Sequence, residues 1–427
     1  MLCLVAALAV AAQTPPAGRP AEFTQAEELY RAGKVDEALA ALTAAARTNP
    51  KLPPPKVALS GLHYRAGNGP AARMALEQAA QDDPKHPDVY LVNADYALRE
   101  GRLTDTVLNC QVAIQLAGEA RWDAEQRKRF VREGRNGLAM AFESRKDWAT
   151  AREQVTAMLA DDPKSAVVRQ RLATCLFFLG SPDQALTELQ TAYKDDPAAE
   201  LPELRMHALS AAANDLPKAE EWLKKAVANH AQSPRTQRAM AGWLLDQGNA
   251  TAARAYLDAA VKLDPTGRDT GVLRGLLARY GKDYAAAEKI YEEVLREYPA
   301  DFVVAWNLAL VLAESSDPAK RRRALELAEN EARKNQKAPE GLAVYAYTLL
   351  KSGRLDEAEK VILAATQLGT VTRDAAYIAG RIFADKNRPE QAIAALKAAA
   401  EGRGAFVYRD QAATLLAEQE RKVSAKK

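Results

Sequence analysis

Four histidines, His63, His86, His207 and His230, are the side chains here best suited to bind zinc or to move a proton near neutral pH. A zinc site asks for ligands at short helical spacing, as in His-Glu-x-x-His, or for His and Cys in close pairs. None of the four stands in such a pattern. No Gly-x-Ser-x-Gly elbow offers a serine nucleophile. Gly33-Lys34 and Gly281-Lys282 lack the Ser or Thr that follows the lysine of a phosphate-binding loop. The doublets Asp82-Asp83, Asp161-Asp162 and Asp195-Asp196 could serve as paired carboxylates, but each stands just before a recurrent proline, which marks them as turn residues. Cys110 and Cys175 are expected to be small buried hydrophobes rather than a bridge. The sequence therefore predicts no catalytic, cofactor-binding or metal-binding residue, no cofactor and no enzyme activity.

The elements that carry these residues are expected to be helical. The chain has 427 residues, 48% of them hydrophobic, with Ala and Leu dominant and aromatics at only 6%. Ala and Leu favour helix, whereas β-branched and aromatic residues favour strands. There are 59 basic and 56 acidic residues, a formal charge of +3. That balance argues against a nucleic-acid partner, which calls for a strongly basic stripe.

A fixed period organises the chain. Ala38, Ala72, Thr106, Ala151, Ala185, Ala219, Ala253, Ala287, Ala324, Ala358 and Ala392 follow one another at 34 residues, apart from one step of 45 and one of 37. Five residues before this anchor stand Gly33, Gly67, Gly101, Gly180, Gly248 and Gly353, with Asn214 and Asn387 in two other units. These residue types tolerate positive φ where one helix ends. Four residues after it come large apolar side chains such as Leu42, Leu189, Leu257 and Tyr291, and seven after come mostly alanines. Those spacings share one helical face. Twelve after stand Pro50, Pro84, Pro163, Pro197, Pro265 and Pro299, which stop the second helix. Twelve before, the residue is nearly always small, from Ala26 and Ser60 to Gly275 and Gly380, with His207 the exception.

This helix-turn-helix unit resembles the tetratricopeptide repeat family, over about Ala21 to Ala400. The resemblance implies an all-α, right-handed α-solenoid of antiparallel helix pairs, a tetratricopeptide superhelix of about eleven repeats. It also implies that the first helices line a concave groove where a protein or peptide partner lies extended. Carried onto this sequence, Tyr30, Tyr64 and Leu98 fall at equivalent positions near the ends of first helices, followed by Arg31, Arg65 and Arg99. Three arginines at that spacing suit a carboxylate-bearing ligand; cations near helix C-termini are also favoured without one. Farther along, the same rows hold Phe177-Phe178 and Arg279-Tyr280. The expected partner-binding residues are thus Tyr30, Arg31, Tyr64, Arg65, Arg99, Phe177 and Tyr280. The Lys and Asn of the chaperone-binding carboxylate clamp are replaced by Phe23 and Glu27, which disfavours that partner class.

Residues 1–12 read as a signal peptide, since Leu2 to Ala12 is apolar, too short to span a bilayer, and ends in small residues. Residues 13–21 read as a Pro-rich linker, 22–400 as the repeat array, 401–420 as a capping helix built on Phe406, Leu415 and Leu416, and 421–427 as a basic disordered tail. The leading expectation is an exported scaffold or adaptor, periplasmic or secreted, in an envelope or secretory assembly, with no transmembrane segment in the mature chain. A cytoplasmic regulatory module and a homo-oligomeric structural subunit are the alternatives. The 45-residue step inserts eleven residues, nearly three helical turns, and is expected to lengthen a first helix backwards through Glu119 to Arg135. Its cations, Arg121, Arg127, Lys128, Arg129, Arg132 and Arg135, form either a basic ridge or a solvated face paired with nearby carboxylates. Lys320-Arg321-Arg322-Arg323, after the Asp317-Pro318 start in the 37-residue step, carries the same two readings.

Overall fold

The computed structural model describes residues 21–336, 338–369, 372–402 and 404–425, and every regular element among them is an α-helix. The apolar run Leu2 to Ala12 and nearly all of the Pro-rich linker lie outside the described residues. No described helix is long and apolar enough to cross a membrane.

The helices form pairs. They are α1 (Ala21–Arg31) and α2 (Val35–Thr48), α3 (Pro55–Arg65) and α4 (Gly69–Asp82), α5 (Pro87–Arg99) and α6 (Leu103–Ala117), α7 (Ala124–Ser144) and α8 (Trp148–Asp161), α9 (Ala166–Phe178) and α10 (Pro182–Asp195), α11 (Pro202–Ala212) and α12 (Leu216–Asn229). They continue as α13 (Pro234–Asp246) and α14 (Ala250–Leu263), α15 (Arg268–Tyr280) and α16 (Tyr284–Glu297), α17 (Phe302–Ala313) and α18 (Pro318–Lys334), α19 (Pro339–Lys351) and α20 (Leu355–Gln367), α21 (Arg373–Asp385) and α22 (Pro389–Glu401). A last helix, α23 (Arg409–Ser424), follows. The pairs divide into two compact units inside α12, between Glu220 and Glu221. Each is an all-α repeat solenoid.

The anchor row is the core. All eleven anchors, from Ala38 to Ala392, have no exposed surface, and the residue four positions on is buried with each. Gly275 shows why the row twelve residues earlier must be small. A Cβ there would stand 2.3 Å from the Tyr291 ring, and a Cβ on Gly380 would stand 2.6 Å from Leu396. Opposite Tyr291, the bulkiest of these partners, the small residue is Gly. His207 breaks the row without opening a hole, because its Nδ1–H donates to the carbonyl of the anchor Ala219 at 2.8 Å.

Between the paired helices the chain takes positive φ at the residue five before the anchor, +78° at Gly33 and +66° at Asn214. Lys146 and Lys282 occupy the same turn at +59°, a conformation their type does not advertise. A non-glycine residue pays about 1–2 kcal/mol there, against about 0.5–1 kcal/mol for the extra freedom of an unfolded glycine. Lys146→Gly is therefore expected to stabilise by up to about 1 kcal/mol in urea melts; a lower midpoint contradicts the turn geometry.

The acidic doublets are structural on both counts. The first Asp pairs with a cation on the first helix of its own unit: Asp82 with Lys56 at 2.7 Å, Asp161 with Arg135 at 3.4 Å, Asp195 with Arg169 at 3.8 Å. The second closes the turn into the next unit, as Asp83 Oδ1 accepts from the Lys85 amide and Asp196 Oδ1 from the Ala198 amide.

The two irregular steps lengthen helices. α7 has 21 residues, starting at Ala124 rather than Glu119, because Asp123 and Gln126 form a reciprocal cap. Just before it, Trp122 folds back to pack on His86 and Phe130. The 37-residue step gives a 17-residue α18, with Asp317 capping its start. α23 begins three residues after Phe406 and continues to Ser424, through the first residues expected as a disordered tail. Gly404–Tyr408, between α22 and α23, is non-helical, bending at Gly404 and turning at Val407–Tyr408, and it buries Phe406 and Tyr408.

Candidate partner-binding face

Within each unit, first helices of neighbouring pairs touch: α3 with α5 and α5 with α7, then α13 with α15, α15 with α17, α17 with α19 and α19 with α21. Among the described residues, no two second helices make comparable contact. First helices that converge while second helices spread put the first helices on the inner side of the curve.

In the first unit this inner row brings together five of the seven residues expected there. Tyr30 stands edge-on to His63, with its hydroxyl 2.9 Å from Nδ1. Tyr64 stacks on Tyr96 at 4.2 Å, and the Arg99 guanidinium lies 5.8 Å from the Tyr64 centroid. Arg31 and Arg65 converge on Glu27, at 3.6 and 2.9 Å, and Arg99 holds Asp95 at 2.8 Å. The three arginine side chains remain 75%, 54% and 41% exposed. Beside Arg65 opens an apolar cleft of about 290 Å³, lined by Phe23, Leu52, Pro53, Val57 and Gly61 among others.

Phe177 stands apart from these five. It is half-buried, edge-on to Phe178, which stacks on Trp148. Tyr280 belongs to the second unit and is tied into it. Its hydroxyl donates to the Leu245 carbonyl at 2.9 Å and accepts from the Phe406 amide at 2.7 Å. A contact 126 residues away in sequence leaves no periodic trace, so Tyr280 looked open in the sequence.

The inner row also holds polar links the sequence reading missed. Arg171 bridges to Glu143 at 2.9 Å and to Asn136, and Arg205 donates to Thr174 at 2.9 Å. Arg171 and Arg205 stand 34 residues apart, so the period itself carried the signal.

Six cations of the two basic segments are in ion pairs. Arg121 holds Asp83, Arg129 holds Asp88 and Glu133, and Arg135 holds Asp161. Lys320 meets Glu288 at 2.6 Å, Arg323 meets Glu292 at 2.5 Å and Arg322 meets Glu326 at 3.8 Å. The solvated-face reading fits these pairings.

The cysteines and histidines are placed for packing. Cys110 and Cys175 are buried free thiols, pushed up by burial to about 12 and about 11, far from the thiolate form. Burial lowers the pKa of His63, His86 and His207. The fold thus prefers them neutral, and the unfolded chain binds more protons below its ordinary value near 6.5. Their contribution is complete above that pH and is lost as the pH falls through the folded-state values. NMR titration is expected to place all three midpoints below 6.5; midpoints at or above it contradict the packing described.

Three family models, each described as tetratricopeptide repeat, match residues 29–94 and 144–211, 346–406, and 269–301, together just over half of the chain. No curated protein matches. Similar solved structures include yeast Tom70, at 16% identity over 95% of this chain and 96% of that one, with a TM-score of 0.36. A tetratricopeptide repeat protein of Parabacteroides merdae shares 13% identity over 68% of this chain and 98% of its own, with a TM-score of 0.35. Another of Thermus thermophilus shares 16% over 43% and 99%, with a TM-score of 0.37.

Proposed function

Because the chain belongs to the tetratricopeptide repeat family and is a protein–protein interaction scaffold, we propose that it binds without catalysis, holding an extended, carboxylate-bearing segment of its partner along the inner row of the first unit. The observation that supports this is the set Arg31, Arg65 and Arg99 beside half-buried tyrosines and an apolar cleft. Exposed ion pairs such as theirs with Glu27 and Asp95 are worth about 0–1 kcal/mol. An incoming carboxylate that accepts two parallel guanidinium bonds replaces them at little cost, and the cleft beside Arg65 takes an apolar side chain of the same segment. The apolar run Leu2 to Ala12 supports export, and with it a place in an envelope or secretory assembly.

Peptides selected on the purified chain from a random library should be enriched in Asp and Glu. Combined charge reversal, Arg31→Glu with Arg65→Glu and Arg99→Glu, should weaken the best of them at least about tenfold, since each lost charged hydrogen bond is worth about 1.5–3 kcal/mol. Arg254→Glu, on the exposed side of α14, should leave binding unchanged. Equal loss in both variants, or loss in neither, contradicts the proposal. N-terminal sequencing of the purified protein tests export separately: a start near Gln13 supports it and an intact Met1 opposes it.

A further inference from the structure

We propose that the inner face of the second unit is itself a peptide-binding site, made for a short non-helical segment with two aromatic side chains two residues apart, and that the chain's own Gly404–Tyr408 occupies it as an internal ligand.

Gly404–Tyr408 is held as a groove holds a peptide, by side chains that grip its backbone. The Phe406 amide donates to the Tyr280 hydroxyl at 2.7 Å, and the Val407 amide donates to Asp374 Oδ1 at 3.2 Å. The Gly404 carbonyl accepts from Arg373 Nη1 at 3.2 Å. Two aromatic rings then fill the face. Phe406 lies under the Arg373 guanidinium at 4.5 Å. Tyr408 stacks on Tyr377 at 4.7 Å, with Tyr347 at 5.8 Å and the Arg279 guanidinium at 5.8 Å. Both rings are almost wholly buried.

The segment reaches far more of the unit than an end cap needs. A cap must cover the last pair, α21 and α22. Gly404–Tyr408 and the first residue of α23 instead meet α15 through Tyr280 and Arg279, α19 through Tyr347 and α21 through Asp374 and Tyr377. Arg409 lies against Gly248, at the end of α13, where an added Cβ would stand 2.9 Å from its Nη2. Four of the unit's first helices, α13, α15, α19 and α21, thus share one short stretch of chain, more than the last pair that a cap covers.

The receptor side also carries polarity that a cap would not call for. Arg279 and Asp374 meet at 3.4 Å, with Arg279 only 3% exposed, and its other arm is held by Asn307 at 2.9 Å. Burying two charges is costly unless they are paired and hydrogen-bonded. Here the pair presents Asp374 to a backbone amide and Arg279 to an aromatic face. Such a site reads backbone and ring shape, so its ligand needs no charge of its own. This inference does not depend on the arginine row of the first unit.

The test uses the full chain and a fluorescein-labelled peptide of the sequence of residues 404–411. A Phe406→Ala and Tyr408→Ala double variant vacates the face. Anisotropy should show the peptide binding this variant at least tenfold more tightly than the parent chain. A control peptide with the same two aromatics replaced by Ala should bind neither. Should circular dichroism show the double variant unfolded, Phe406→Leu decides. It keeps an apolar side chain in place and alters the segment while leaving every residue of the face intact, so peptide binding should rise above that of the parent. No gain in a folded variant, or equal binding to parent and variant, overturns the proposal and leaves the segment a cap.

Discussion

Arg279→Ala is expected to cost about 3–5 kcal/mol, because it removes one partner of a buried ion pair and leaves the other without compensation. Asp374 would keep the Val407 amide but lose its cation, and burial already pushes its carboxyl above the ordinary range, against the pull of Arg279. Asn307 would lose its donor and Tyr408 the guanidinium beside its ring. Stability in an array is close to a sum of unit and interface terms, so the loss should fall on the second unit. Hydrogen exchange is expected to quicken in α15, α17, α21 and Gly404–Tyr408 while α1 to α9 keep their rates. Pairing Arg279→Met with Asp374→Asn should recover part of the loss, since replacing a whole buried pair costs less than breaking it. An Arg279→Ala protein with the parent urea midpoint contradicts the burial described.

Leu189→Ala and Leu257→Ala are each expected to cost about 2–5 kcal/mol, the range for emptying a close-packed leucine site. Both sit four residues after an anchor and are almost fully buried. Ala185→Leu tests the same packing from the other side. That anchor has no exposed surface, and overfilling it should cost about 1–3 kcal/mol. Leu108→Ala is the control. Its side chain is 55% exposed two positions after an anchor, so its change should stay within about 0.5 kcal/mol. Urea melts that rank Leu108 with Leu189 would remove the basis for the register.

What the sequence made legible follows from how local each contact is. The small residue before the anchor and the large one after it were visible as separate rows. Gly275 against Tyr291, and Gly380 against Leu396, show that the rows are two halves of one contact inside a single pair. Such contacts repeat with the period and can be read from it. Lys146 and Lys282 take the turn conformation of Gly33 without a residue type that reveals it, so the turn position was visible and its strain was not. The inner row was half visible. Tyr30 and Tyr64 stand at one offset and their arginines at the next, whereas Arg171 and Arg205 sit seven residues before the offset of those arginines, two turns away. The cover on Tyr280 was not legible because the Phe406 amide that meets its hydroxyl returns from 126 residues away.

The most direct measurement on the central claim, that the inner row of first helices does the binding, is hydrogen–deuterium exchange of the full chain with and without a saturating selected peptide. Added protection is expected in α1, α3 and α5, with α2, α4 and α6 unchanged. Protection confined to the second helices, or spread evenly over both, would contradict the claim.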